Sequence, residues 1–266
     1  MVRGYRTSVR ETVVIGDVHG CGEELRLLLA RIDRVAPRAR IVFVGDLLTK
    51  GPRPDLVVSE ILSRREAGAD MELVCGNHEP RALEALMRAG PDAELELLPP
   101  RLAEMVDILA DEDMLDDAIA LMREALCTNV LRGPQRRWAV VHGGVDPRLG
   151  LDRTPPRRRV TIKGAPDEVD WWWSYDGRDG LLVVGHKPLA SPLVLRRADG
   201  RAVVVNVDTG CVYGGALSAY RIERDSIVSV SSRQRGDRSL RSRLSIRPAT
   251  SAWQWADGAP VRRRAG

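Results

Sequence analysis

All four histidines of the 266-residue chain fall inside short motifs of glycine, aspartate and asparagine that follow apolar runs. These are GDVHG at 16–20, GNHE at 76–79, HGG at 142–144 and GH at 185–186, and Gly45-Asp46 follows the run IVFV in the same manner. Imidazole, carboxylate and amide groups without a thiolate form a nitrogen and oxygen donor set that suits divalent cations and disfavours Cu(I). Asp17 and His19, two residues apart, can aim at one cation from a turn; Asp46 can bridge two; Asn77, His142 and His186 can complete the second. A carboxylate bridge holds two metals roughly 3.5–4 Å apart, the arrangement that turns water into hydroxide and neutralises charge during in-line phosphoryl transfer. Any one motif alone is a turn after a strand. Turns do not require every histidine in the chain.

The elements that must position these groups follow from periodicity. TVVIGD at 12–17, ARIVFVGD at 39–46 and MELVCGN at 71–77 read as buried strands. Between them Leu25, Leu28, Leu29, Ile32 and Val35 recur at helical spacing, residues 54–68 form a helix started near Pro54, and 79–89 form another. That alternation calls for a parallel sheet with right-handed crossovers, and polar residues just past its strands then gather at one edge. Residues 91–130 carry helical patterns around 100–110 and 114–126, and we expect a helical insertion that overhangs the site. From 136 onward strands dominate: RRWAVVHGG, LLVVGH, AVVVNVD and a hairpin of ALSAYRI with SIVSVSS. These predict a second sheet packed on the first. The stretch 148–178, with its DWWWSYDG, reads as a surface excursion with a tryptophan anchor.

Charge is unevenly placed. The chain carries a net +4, but residues 233–266 hold nine arginines and two aspartates, which leaves the preceding body mildly acidic. We expect a domain over 10–232 and an Arg-rich, flexible tail over 233–266. Such a tail suits a nucleic acid or an acidic membrane surface as partner, or is a solvated end. Trp253 and Trp255 point to docking of part of it. The four cysteines show neither a CxxC pair nor a disulfide framework, and the N-terminus lacks a signal-peptide pattern. A soluble, cytoplasmic protein is the expectation.

GDVHG, GD-x-x-x-KGP, GNHE, HGG and GH, in this order over residues 12–220, resemble the calcineurin-like metallophosphoesterases, and specifically the phosphoprotein-phosphatase branch with its bacterial diadenosine tetraphosphatase-like enzymes. The resemblance implies a four-layer α/β/β/α metallophosphoesterase sandwich with a helical insertion. It implies two divalent metal ions, manganese foremost with Fe, Zn, Ni or Mg as alternatives. Asp17, His19 and Asp46 would hold one and Asp46, Asn77, His142 and His186 the other. His78 would be the catalytic acid, with Asp46 as bridging group; Glu79 would buttress the loop. Lys50 and Arg81 would contact substrate phosphate.

Departures from the pattern bear on substrate. Protein phosphatases read GDxVDRG where this chain has Gly45-Asp46-Leu47-Leu48-Thr49-Lys50-Gly51. Thr49 replaces the aspartate that supports the catalytic histidine, Lys50 replaces a bidentate arginine, and Cys75 stands where an arginine precedes GNHE. A nucleotide or dinucleoside polyphosphate therefore ranks ahead of a phosphopeptide, with protein serine/threonine phosphatase as the alternative activity. A nucleic-acid-binding or scaffold protein on the same fold is the alternative of another class. Asp208 reads equally as support for a metal-bound histidine and as a turn residue. Trp171, Trp172 and Trp173 read as anchors before base-stacking groups.

Overall fold

The computed structural model describes residues 10–90, 95–163, 170–235, 253–256 and 259–262. Its first half runs β1 (Thr12–Ile15), α1 (Gly22–Val35), β2 (Arg40–Phe43), α2 (Pro54–Glu66), β3 (Met71–Leu73) and α3 (His78–Ala89), followed by α4 (Pro100–Asp111) and α5 (Leu115–Leu126). The second half runs β4 (Leu131–Arg132), β5 (Trp138–Val140), α6 (Gly150–Arg153), α7 (Pro156–Thr161), β6 (Leu181–Val184), β7 (Leu193–Arg196), β8 (Ala202–Asn206), β9 (Ala216–Arg221) and β10 (Ser226–Ser231). Within the tail, β11 (Trp253–Ala256) pairs antiparallel with β12 (Ala259–Arg262). The remainder of the predicted flexible segment beyond residue 235 lies outside the described residues, and so does any docking of its tryptophan side chains.

Two five-stranded sheets form, in the orders β10-β9-β1-β2-β3 and β4-β5-β6-β8-β7. Each has three parallel strands, β1-β2-β3 and β5-β6-β8; antiparallel strands flank the second set on both sides, whereas the first is extended by β9 and β10 on the β1 side and ends at β3. Side-chain alternation along the strands explains the layers. Val13, Ile15, Ile41 and Phe43 face α1, α2 and the other helices in one core. Val14, Val42 and Val44 face the opposite way and pack against Val140, Val183 and Val205 of the second sheet. Ala139, Leu182 and Val184 point outward from that sheet into a third core.

The outermost layer there is thin. It is made of the short α6 and a turn in which Trp171, Trp172 and Tyr175 are buried, with Trp171 Nε1 donating to the Gly143 carbonyl at 3.2 Å. Tryptophan supplies in one residue the apolar area that a helix face would otherwise provide. The excursion with a tryptophan anchor is thus observed, although Trp173 is only half-buried.

The overhang expected of the helical insertion is not observed. Leu102, Met105, Leu109, Ala118, Leu121 and Met122 bury their apolar stripes in the helix-side core beside α2 and α3, and none of the insertion's described residues lines the site cavity. An amphipathic helix buries its stripe wherever a matching apolar face is free, and that face lay on the helix layer.

Candidate active site

Every motif leaves the carboxyl end of a parallel strand, and three turn through left-handed backbone: His19, Asp46 and His186 have φ of 49°, 53° and 69°. A residue with a Cβ adopts that region at a cost, and such strain gathers at functional sites. Two glycines make room. A Cβ on Gly76 would overlap the Asp46 carboxylate, and one on Gly185 would overlap that of Asp17. Backbone bonds then tie the loops: His19 N to Asp46 O at 2.8 Å, and Gly185 N to His142 O at 2.8 Å. Buried Glu79 accepts from Leu47 N at 2.8 Å and Gly76 N at 2.9 Å, which is the buttressing expected of it.

Asp46 lies at the centre. Its Oδ1 accepts the His78 N–H at 2.9 Å, which satisfies an otherwise orphan donor at the start of α3 and sets a negative charge against that helix terminus. Its Oδ2 lies 3.4 Å from His142 Nε2, 3.6 Å from His19 Nε2 and 3.8 Å from His78 Nε2. Donor atoms fall into two sets that share Asp46: one with His19 and His78, one with His142 and His186.

His142 joins the two sheets. A carbonyl only accepts, so the 3.0 Å contact with Val44 O assigns the proton to Nδ1. Nε2 then meets two oxygen acceptors, Asn77 Oδ1 at 3.1 Å and Asp46 Oδ2 at 3.4 Å, and the ring nitrogen His186 Nδ1 at 3.1 Å. So many lone pairs converging on one buried point are stable only around a positive charge, either a proton or a metal ion. The protein supplies the proton when it has nothing else. Burial works against the His142 cation, yet Asp46 and Asp17 hold it up at about 9, while burial and the neighbouring His142 charge push His186 down to about 2. Among the described residues, His186 Nε2 and His19 Nδ1 are buried with no hydrogen-bond partner. At His19 Nε2 a cation already stands, the Lys50 ammonium at 2.8 Å. These residues fit divalent cations.

Asp17 is buried just below this set, its two oxygens 3.1 and 3.2 Å from His186 N, and belongs to neither donor group. Burial and nearby Asp208 raise its carboxyl well above the usual range. Asp208, also buried, accepts from Gly210 N at 3.0 Å and is raised by burial to about 6.

His78 is the most open of the imidazoles, with a quarter of its side chain exposed. Its Nδ1 pairs with Thr49 Oγ1 at 2.8 Å, so threonine occupies the partner position with a neutral hydroxyl. Burial, with Lys50 and Arg81 adding to it, lowers His78 to about 4. Arg81 is exposed one turn into α3 and does not line the cavity.

The cavity at this edge holds about 310 Å³ and is lined by His19, Asp46, Asn77, His78 and His186 together with Lys50, Lys163, Lys187, Asp208 and Tyr213. Lys163, Lys187 and Tyr213 escaped sequence reasoning. Tyr213 does lie in the quoted NVDTGCVYGG, but Lys163 sits in an Arg- and Pro-rich stretch with no periodicity to flag it. A larger cleft of about 600 Å³ at the other end of β2 and β3, lined by Arg10, Pro37, Arg64 and Met71 among others, contains none of the donors.

A family model for calcineurin-like phosphoesterases matches residues 11–215. The chain belongs to that family. Among curated relatives, an asymmetrical bis(5'-nucleosyl)-tetraphosphatase PrpE of Halalkalibacterium halodurans is 30% identical over 242 residues, 83% of this chain and 94% of the relative. A symmetrical bis(5'-nucleosyl)-tetraphosphatase of a Janthinobacterium species is 28% identical, over 82% of this chain and 95% of its own. A crystal structure provisionally ascribed to a diadenosine tetraphosphatase shares the fold, with a TM-score of 0.64, 22% identity, and coverage of 85% of this chain and 95% of that one. The two-sheet sandwich expected from sequence is therefore the phosphoesterase fold, and the chain is a metal-dependent phosphoester or phosphoanhydride hydrolase.

Proposed function

We propose that the enzyme hydrolyses phosphoanhydrides of nucleotides or dinucleoside polyphosphates, with two divalent ions, manganese first, bound around Asp46. The observation that carries this reading is the meeting of Asp46 Oδ2, Asn77 Oδ1 and His186 Nδ1 at His142 Nε2, buried between the two sheets. The relatives named as tetraphosphatases, matched along more than nine-tenths of their own length, support the nucleotide substrate. In this assignment Asp17, His19 and Asp46 hold one ion, and Asp46, Asn77, His142 and His186 hold the other. The bound ions would supply Lewis-acid neutralisation of the phosphoryl oxygens and a nucleophile from water at neutral pH.

The chain's own groups divide the remaining work. Asp46 fixes the α3 terminus through His78 N–H, so the imidazole that follows is held at the cavity wall. His78 Nε2 is the proton donor to the leaving oxygen, and Thr49 orients its ring through Nδ1. Lys50, on the same wall, moves from His19 to the phosphoryl oxygens when the cations are in place, a point-charge contact without arginine's fork. Arg81, exposed on α3 and outside the cavity lining, is the second phosphate contact in this assignment, and its charge also acts on His78. The four cysteines are all free thiols, which supports a reducing, cytoplasmic setting. No helix among the described residues is long and apolar enough to cross a membrane.

The test is a phosphate-release screen with manganese, iron, zinc, nickel and magnesium in turn. Its substrates are diadenosine tetraphosphate, nucleoside triphosphates, triphosphorylated RNA and phosphopeptides. Highest kcat/KM on the dinucleoside or nucleoside polyphosphates is expected; a preference of tenfold or more for phosphopeptides would overturn the substrate assignment.

A further inference from the structure

Three lysines line the cavity, and their partners differ. Lys50 is bonded to His19 Nε2 at 2.8 Å and stands 5.6 Å over the Tyr213 ring. Lys187 is neutralised by an ion pair with Asp170 and lies 5.6 Å over the Trp172 ring. Lys163, just past α7, makes no hydrogen bond or ion pair among the described residues. It lines the cavity beside His186 and Asp208; burial and the Lys50 charge lower its proton affinity, while Asp208, Asp46 and Asp17 pull the other way. Resident cations would cancel that attraction and leave an ammonium with three donors facing the cavity. An ammonium on a flexible stem, with no anion paired to it among the described residues, is a phosphate contact in waiting.

Tyr213 adds an independent element. It sits in a 3-10 turn bounded by Gly210 and Gly214, both in left-handed backbone with φ of 65° and 84°. The turn leaves the ring half-buried in the cavity lining, under Lys50. Such a cavity is at the small end of ligand sites and suits a phosphate chain better than a whole dinucleotide. The nucleoside must then lie at the mouth, where an aromatic ring offers a face to any base.

Resting on the nucleotide reading above, we propose that Lys163 and Tyr213 form an outer subsite, Lys163 for the phosphate next to the scissile one and Tyr213 for the nucleoside beyond it. The subsite makes the enzyme prefer polyphosphorylated nucleosides over simple monoesters. The test compares diadenosine tetraphosphate with p-nitrophenyl phosphate as substrates. It also measures calorimetric affinity for inorganic tripolyphosphate and for a non-hydrolysable methylene-bridged ATP analogue. In Lys163→Met, KM for the tetraphosphate rises about tenfold while kcat stays within about twofold, and the analogue and tripolyphosphate both bind about tenfold more weakly. The loss in kcat/KM on the aryl monoester is several times smaller. Lys163→Arg recovers most of the affinity. In Tyr213→Ala, binding of the ATP analogue weakens about tenfold while tripolyphosphate binding changes much less, and Tyr213→Phe restores it.

Equal losses on the two substrates in Lys163→Met, or unchanged tetraphosphate KM and analogue affinity, would overturn the subsite while leaving the nucleotide assignment intact. A wild-type enzyme that cleaves the aryl monoester but neither cleaves the tetraphosphate nor binds the analogue overturns the nucleotide assignment itself. Lys163 is exposed on the surface, so loss of fold does not confuse the outcome; matched thermal unfolding of variant and wild type confirms it.

Discussion

The four imidazoles form two pairs with opposite characters. His142 and His186, buried as His19 also is, have their nitrogens 3.1 Å apart and their proton affinities driven apart to about 9 and about 2. They behave as one unit that holds one positive charge. His19 and His78 meet edge to face with ring centroids 5.0 Å apart, share no hydrogen bond, and are both pushed toward the neutral form by burial. The inner pair comes from the second sheet and is locked to the first through Val44 O and Asn77; the outer pair comes wholly from loops of the first sheet. Three of the four, His19 included, are buried as cation ligands need to be, and His78 alone, a quarter exposed at the cavity, is placed to move a proton. Asp46 belongs to both pairs.

Removing that shared carboxylate should have the largest effect. Asp46→Asn keeps an oxygen for the His78 N–H, so circular dichroism and thermal unfolding should stay close to wild type. With one charge fewer among the donors, kcat on an aryl phosphate in manganese should fall by about 10³-fold, and metal measured by mass spectrometry should fall with it. Turnover near wild type would break the idea that the two pairs share a centre.

His78→Ala then separates the pairs, because it takes away only the outer proton donor. A loss of about 10²-fold is expected with an alkyl leaving group and a distinctly smaller one with p-nitrophenolate, which leaves without a proton. Bound metal should be unchanged. His186→Ala should instead reduce metal content. If both variants lost metal equally, the division between metal-holding imidazoles and a proton-moving His78 would be wrong.

How much of this contrast could be read in the chain depends on which forces set it. The motifs after β1, β2, β3, β5 and β6 were legible because a short apolar run followed at once by Gly and a donor residue, five times in one chain, marks strands that end at a common edge. The buttress role of Glu79 was legible only through the family resemblance of GNHE, since position alone does not say which amides its carboxylate will accept from. The direction of the helical insertion was not, since the apolar stripes of α4 and α5 do not say which face they will cover. Lys163 was invisible because its place in the cavity lining arises only when chain segments over a hundred residues apart close around it. The proximity of His78 rather than Asp17 to His19 and Asp46 also depends on loop geometry that spacing does not encode.

The loop beneath both pairs offers a stability test. Glu79→Ala leaves Leu47 N–H and Gly76 N–H without their buried acceptor, which should cost about 1–3 kcal/mol in denaturant unfolding. Unchanged stability would mean that the second and third motifs are tied by their backbone alone.

The smallest expected effect is the most informative about the outer pair. Thr49 gives His78 Nδ1 a hydrogen bond but no charge, while burial lowers the imidazole to about 4. A general acid works only while protonated, so kcat falls as pH rises through its pKa, and a low pKa places that fall on the acid side of neutrality. Thr49→Asp puts a carboxylate where the hydroxyl stands. An adjacent negative charge favours imidazolium, so the pKa rises and the falling limb of the pH–kcat profile should move up by about one unit. Thr49→Val, which removes the hydroxyl without adding charge, should not move the limb upward. Profiles taken with an alkyl phosphate, where protonation of the leaving oxygen matters most, make the comparison. A limb that stays in place in Thr49→Asp would detach the proton from His78 and assign it to a group beyond the four histidines.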